Sequence, residues 1–264
     1  MAGRMAGRVA LVTGGGGGIG EAIGRLFVEE GAAVVLVDTD KVAVETAATG
    51  MTKAVPGARV LALVADLTSE SEARRVIDDA LARFEALHTL VNVAGVRVYR
   101  PLAEADATGW EFIIGVNVLA TAYCCKAALP ALRATGRGSI VNVSSVYGVM
   151  GRAGMGQYDT TKAAVLGFTR ALAVEEAPHG IRVNAVCPGG TITPYHIRRA
   201  AGRGSPRPSY GSSAVRTISS AAGRSRGRSP SPFCFSPPTS RRSSPAPPSW
   251  WTPASPSFNR QQGD

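Results

Sequence analysis

Tyr158 and Lys162 stand four residues apart at the start of a predicted helix, so they share one face of it. An ammonium beside a phenol favours the phenolate and brings the phenol's acidity toward a working pH, which suits a tyrosine to general acid/base work. Ser145, thirteen residues before Tyr158, ends a predicted strand and is placed to hydrogen-bond a substrate oxygen, although a Ser-Ser pair after a strand also reads as a simple turn. Near the N-terminus, Thr13 is followed by five glycines, Ile19 and Gly20, set between a strand and an amphipathic helix. Glycines let the backbone turn sharply and approach a pyrophosphate, while the N-terminus of the next helix offers N–H groups and positive dipole. Asp38 ends the second predicted strand, eighteen residues beyond Gly20. A carboxylate there accepts hydrogen bonds from the adenosine ribose and repels a 2′-phosphate. Thr39 and Asp40 come before the first cation, Lys41, so the pattern favours NAD over NADP. Taken alone, the same residues also fit a flexible glycine turn and a strand-end turn.

These groups need strands and helices to bring them together, and the hydrophobic pattern supplies both. Val9–Thr13 is a short apolar run ending at the glycines, and Ala22, Ile23, Leu26 and Phe27 recur at helical spacing until Gly31 stops that helix. Val34–Val37 and Val60–Val64 are further apolar strands, closed by Asp38 and Asp66. Ser69 and Glu72 have the spacing of a capping box for a helix carrying Val76, Ile77, Ala80, Leu81 and Phe84. Leu90-Val91 begins a fourth strand and Ser139–Val143 is a fifth, flanked by long helical patterns over about 109–134 and 157–177. Ile181–Val186 is a sixth. Strands that are apolar throughout and alternate with helices indicate an α/β fold, a doubly wound parallel sheet covered on both faces. Ligands in such a fold bind beyond the carboxyl ends of the strands.

The chain has 264 residues, 45% of them hydrophobic, enough for one large domain with a sizeable core. No apolar run is read as reaching the roughly 18 to 20 residues of a membrane helix. The N-terminal residues lack the apolar region of a secretion signal, so a cytoplasmic location is expected. Cys124, Cys125, Cys187 and Cys234 show neither metal-ligand spacing nor a disulfide framework. Collagen, a membrane channel and a disulfide-stapled domain are excluded. The net charge of +10 is unevenly placed: residues 1–196 hold 18 basic and 18 acidic side chains, whereas 197–264 hold eleven Arg and one acid, Asp264. The basic excess is therefore a property of the tail, not of the body.

With these segments in order, the chain resembles the short-chain dehydrogenase/reductase family. Asn92-Val-Ala-Gly95 ends the fourth strand where the family has Asn-Asn-Ala-Gly, with Val93 a departure at a supporting position. Asn117 lies in the next long helix, Asn142-Val-Ser-Ser145 precedes Tyr158, and Pro188-Gly-Gly-Thr-Ile-Thr193 follows the sixth strand. The resemblance covers about residues 8–196 and implies a Rossmann fold in one NAD-binding and catalytic domain, residues 1–196. It implies a catalytic tetrad of Asn117, Ser145, Tyr158 and Lys162. Tyr158 would be the acid/base and Ser145 would polarise the reacting oxygen. Lys162 would assist the tyrosine and hold the nicotinamide ribose, and Asn117 would position a water for proton relay. The implied cofactor-binding residues are Gly14, Gly18, Ile19, Gly20, Asp38, Asp66, Leu67, Asn92, Tyr158, Lys162, Thr191 and Thr193, with Asn92 supporting the central strands beside the cofactor and with no metal. The implied activity is NAD-dependent hydride transfer between nicotinamide and a secondary alcohol or ketone, with no membrane partner and with a homodimer or homotetramer as the assembly. By position, Val96–Arg100 and Val146–Met150 would line the substrate pocket.

Beyond about Ile197 the family continues with a substrate-covering helix, another helix and a last strand ending near Val-Asp-Gly-Gly. Here 38 of the 68 residues of 197–264 are Pro, Ser or Arg, a composition expected to be disordered. The genetic code suggests why. Tryptophan has a single codon, so a one-base shift turns Trp250-Trp251 into valine and the next junction into aspartate. The same shift lets Ser243–Ala254 read Val-Thr-Gly-Ala-Ala-Val-Val-Val-Asp-Ala-Gly, similar to the family's closing strand. A frameshift near residues 197–205 would account for this and leave the final strand and helix missing; a natural solvated tail is the alternative reading of the same composition. Two competing functional readings follow from the tail: a catalytically impaired dinucleotide-binding variant, and nucleic-acid binding through the arginines.

Overall fold

The computed structural model describes residues 3–193 and the backbone of 216–218. Apart from that short piece, the expectation of disorder over 197–264 lies outside the described residues. Six apolar runs form parallel strands: β1 (Val9–Thr13), β2 (Ala33–Asp38), β3 (Val60–Val64), β4 (Thr89–Asn92), β5 (Ser139–Val143) and β6 (Arg182–Cys187). Their spatial order is β3-β2-β1-β4-β5-β6, with β7 (Arg216–Ile218) antiparallel beyond β6. The chain reverses direction across the sheet between β1 and β4, and this switch point opens a crevice at the carboxyl ends of the strands.

The helices cover both faces: α1 (Gly18–Glu29) and α2 (Lys41–Ala54) on one, and α3 (Glu70–Phe84), α5 (Ala120–Ala134) and α6 (Gly156–Glu176) on the other. Two apolar layers result because successive strand side chains point to opposite faces. In β1, Leu11 enters the layer with Val76 and Ile77 of α3 and Leu132 of α5, while Val12 enters the layer with Val44 and Met51 of α2. Val35 and Val37 follow Leu11; Val34 and Leu36 follow Val12. Leu11 and Leu36 are fully buried, and each such burial is worth roughly 1.5–3 kcal/mol.

Several expectations are revised. The single helix expected over 109–134 is α4 (Ala107–Ile114), a π-helical turn at Gly115–Leu119 and then α5. Taken as one stretch, Ala107–Ala134 is long and apolar enough to cross a membrane by length and composition, contrary to the sequence reading. In the fold it sets Cys124, Cys125, Ala128 and Leu132 into the core beside the sheet. Only half of the capping box forms: the Ser69 hydroxyl accepts from the Glu72 N–H, but the Glu72 carboxylate pairs with Arg75. The Ser69 N–H bonds the Asp66 carbonyl instead. The outer edge of β6 is partly covered, because Arg216 pairs with Cys187 and Ile218 with Ala185. An exposed strand edge presents unpaired N–H and C=O groups that recruit such a segment.

Candidate active site

The β1–α1 turn is shaped by close approach. Gly14 has φ 66°, and a Cβ on Gly20 would lie 2.1 Å from the Gly14 carbonyl oxygen, so the first turn of α1 can sit against the loop only with glycine there. The N-cap of α1, Gly17, provides no side-chain hydrogen bond. The first N–H groups of α1 therefore lack an internal partner, which is the condition for receiving a phosphate. The Thr13 hydroxyl accepts from the N–H groups of Val93 and Ala94 at 3.0 and 3.1 Å, tying the loop after β4 to the end of β1. At the end of β2, Asp38 accepts from the N–H groups of Gly16 (2.9 Å) and Asp40 (3.1 Å), which aims its carboxylate along the glycine loop.

These elements enclose a cavity of about 1200 Å³. Its wall runs from Gly14, Gly18, Ile19 and Asp38 past Asp66 and Leu67 to Gly95, Ser145, Tyr158 and Lys162, with Thr191 and Thr193 closing one side. At the far end, α6 carries Tyr158 and Lys162 on one face, and both are buried. The Lys162 Nζ donates to the Val143 carbonyl at 2.9 Å and lies 5.7 Å from the centre of the Tyr158 ring. Burial first, and then the nearby Arg97 cation, pull its pKa down to about 8. Ser144 anchors the turn by donating to the Lys162 carbonyl at 2.7 Å. The Ser145 hydroxyl accepts from the Tyr147 N–H at 3.2 Å and keeps its own proton for donation.

Three expected site residues do not line this cavity. Asn117 sits in the π-helical turn, 1% exposed. Its Oδ1 accepts from the Val96 N–H at 2.8 Å, and its Nδ2 donates to the Val96 carbonyl at 3.0 Å and the Thr161 hydroxyl at 2.9 Å. That amide clamps the β4 loop to α6. Asn92 donates to Asn142 at 2.9 Å and to the Cys125 sulfur at 3.3 Å, and Asn142 donates to Thr169 at 3.0 Å. The Asn92 side chain thus joins β4, β5 and α5 beneath the floor, the support of the central strands that the family resemblance implies. Gly20 is likewise buried behind Gly14, where it lets α1 approach. Of the expected substrate loops, Val96 and Arg97 reach the cavity, whereas the residues after Ser145 do not, and Val149 and Met150 face solvent.

Sequence reasoning missed Thr13, whose role needs a partner loop eighty residues away, and it gave no charge role to Arg97. The Arg97 guanidinium lies 5.4 Å from the centre of the Tyr158 ring. Burial lowers its pKa, but hydrogen bonding to Tyr99 and attraction to Tyr158 outweigh this and raise it overall.

The short chain dehydrogenase family profile matches residues 8–203. The chain belongs to the short-chain dehydrogenase family. It is 43% identical over 188 residues to the cis-4-hydroxycyclohexanecarboxylate dehydrogenase of Sinomonas cyclohexanicum, covering 71% of this chain and 74% of that one. It is 39% identical over 202 residues to the L-fucose dehydrogenase of Bos taurus, covering 75% and 71%. The crystal structure of NAD+-bound xylitol dehydrogenase superposes with a TM-score of 0.68 at 33% identity, covering 70% of this chain and 71% of that one. This short-chain dehydrogenase is accordingly an oxidoreductase whose relatives act on alcohol groups.

Proposed function

We propose that the chain is an NAD-dependent dehydrogenase that interconverts a secondary alcohol and its ketone, with Tyr158 as the general acid/base. The observation that carries this reading is one cavity with two chemically different ends: an uncapped helix N-terminus beside Asp38 at one, and Ser145, Tyr158 and Lys162 at the other. The net reaction is secondary alcohol plus NAD+ giving ketone, NADH and a proton. When bound, the nicotinamide supplies the hydride acceptor, with the NAD+-bound xylitol dehydrogenase as the supporting neighbour.

The chain's own residues do the rest. The first N–H groups of α1 hold the pyrophosphate. Asp38 takes one N–H on each oxygen and keeps lone pairs for the ribose hydroxyls; a 2′-phosphate would bring like charges together. Asp66 and Leu67 flank the adenine end, and Thr191 and Thr193 the nicotinamide end. Ser145 donates to the substrate oxygen. Tyr158 accepts the proton from the alcohol and returns it in the reverse direction, with Lys162 beside it. Lys162 spends one N–H on the Val143 carbonyl and has others for the nicotinamide ribose. Asn117 has committed its amide to Val96 and Thr161, so it acts as a positioning residue that holds the loop and α6 in register.

The test is a titration and a substitution in the full chain. NADH should quench or enhance fluorescence with saturable binding, and a panel of secondary alcohols that includes L-fucose and cis-4-hydroxycyclohexanecarboxylate should yield NADH from NAD+. Tyr158→Phe should lower kcat about a hundredfold or more while NADH affinity stays nearly constant. Residual turnover above about a tenth of the parent's would assign the proton to another group.

A further inference from the structure

The charges that line the cavity are segregated. Its four acids, Glu21, Asp38, Asp40 and Asp66, come from the β1, β2 and β3 side of the sheet, and its two cations, Arg97 and Lys162, stand at the Tyr158 end. A third cation, Arg152, lies just outside the wall, its guanidinium 5.4 Å from the Tyr158 ring centre and 3.6 Å from that of Tyr147. The carboxylate among these groups, Asp159, is engaged by Arg152 through its side chain at 3.4 Å and its N–H at 3.2 Å. Three cations therefore stand within 5.7 Å of the Tyr158 ring centre, and one of them, Arg152, is paired with Asp159.

Of the three, Arg97 faces the cavity and is given no proton or ribose contact in the reaction proposed above. Its mount is rigid, because the preceding residue, Val96, is held on both its N–H and its carbonyl by the Asn117 amide. The guanidinium is half-buried and rests among phenols, with Tyr99 and Tyr158 as partners. A phenol oxygen is a neutral acceptor, whereas a carboxylate accepts two parallel N–H bonds from the guanidinium fork, and such charge-assisted pairs are roughly twice as strong. Oxidised nicotinamide adds a further positive charge at this end. A neutral substrate would leave that accumulation unbalanced in a partly desolvated site, and an anionic one would offset it.

We propose that Arg97 is the subsite for a carboxylate on the substrate, so that the natural substrates are hydroxy acids and their oxo acids. This rests on the dehydrogenase reading above and names the substrate class for that same site. Hydride leaves the carbinol carbon for nicotinamide and the hydroxyl proton passes to Tyr158, while the carboxylate remains unchanged on Arg97 throughout.

The experiment compares acids with their amides, which share shape but differ in charge. Isothermal titration of the full chain, with and without NADH, uses 4-hydroxycyclohexanecarboxylate against its carboxamide and 3-hydroxybutyrate against its amide. At least one acid should bind about tenfold or more tightly than its amide, equivalent to about 1.4 kcal/mol. Arg97→Gln should bring that ratio close to one, and Arg97→Lys, which keeps the charge but not the fork, should retain part of it. Circular dichroism confirms that both variants are folded, and the lysine variant serves if the glutamine variant is not. Equal binding of acid and amide, no binding of either acid, or a preference that survives Arg97→Gln overturns the proposal. The outcomes separate cleanly. Acid binding through Arg97 without NADH formation from NAD+ defeats the dehydrogenase reading and leaves the subsite; turnover of neutral alcohols without acid preference does the reverse.

Discussion

Replacing Lys162 by methionine should reveal what the site costs the fold. The side chain is 4% exposed, donates to one carbonyl and faces a second cation in Arg97. Burial chiefly, and Arg97 in addition, bring its pKa from 10.5 to about 8. The unfolded chain keeps this proton up to about pH 10.5, so between about pH 8 and 10.5 the unfolded state binds more protons and stability rises with pH. Below pH 8 both states are protonated and the whole penalty stands. At about 1.4 kcal/mol per pH unit, the penalty is about 3 kcal/mol. Methionine matches the length of lysine without its charge, and forgoes a hydrogen bond worth about 1 kcal/mol. Lys162→Met should therefore be about 2 kcal/mol more stable than the parent at pH 7, and should lose that advantage by pH 10.5.

Other groups titrate in the same window with the opposite sign. Burial pushes the Cys124 thiol up to about 12 and raises Cys125 further. Their unfolded thiols ionise first, so stability falls as pH climbs above about 9. Those contributions are common to both proteins and cancel in the difference. Urea unfolding followed by circular dichroism at intervals from pH 7 to 10.5 gives that difference directly. A parent-to-variant gap that stays flat across the range refutes the burial-cost argument, and one that widens in favour of methionine refutes its sign.

Asp38→Ala should remove the preference for NAD(H): the parent should bind NADH at least about tenfold more tightly than NADPH, and the variant should bind the two alike in fluorescence titrations. Gly20→Ala sets a methyl 2.1 Å from the Gly14 carbonyl oxygen. It should force α1 off its loop, lowering both the melting temperature and NADH affinity, and unchanged values of both would show that the contact is not needed.

The strands were legible because each has a mostly apolar run, as a strand between two helical layers needs, even where β5 and β6 carry Asn142 and Asn184. Helix α2 was not. Its buried residues are Val44, Ala47 and Met51, separated by Thr, Ala and Gly, so the contrast between its faces is faint. What makes it a helix is the Asp40 cap on the Ala43 N–H and packing on β2 and β3. The π-helical turn has no local signal either. It follows from fitting the Asn117 amide between Val96 and Thr161, residues 21 and 44 positions away. The same limit explains the site. Tyr158 and Lys162 were readable because one turn of helix sets their geometry, and the glycines because a turn does. Asn92 was found, but its partners could not be named, since Cys125 and Asn142 are 33 and 50 positions distant.

The polarity of the cavity was hidden for a different reason. Residues 1–196 carry equal numbers of acids and bases, so composition shows a neutral body. Yet every acid on the cavity wall lies at or before Asp66, and both cations lie at or after Arg97. The topology turns that order along the chain into separation in space. Strands β1 to β3 run to one side of the switch point, and β4 to β6 to the other. A ligand laid across the crevice therefore meets carboxylates from the first half of the chain and cations from the second. Hydroxyl-rich adenosine suits the first end, and the second calls for a substrate that brings negative charge. Charge order along the sequence becomes informative about substrate only once the strand order is known.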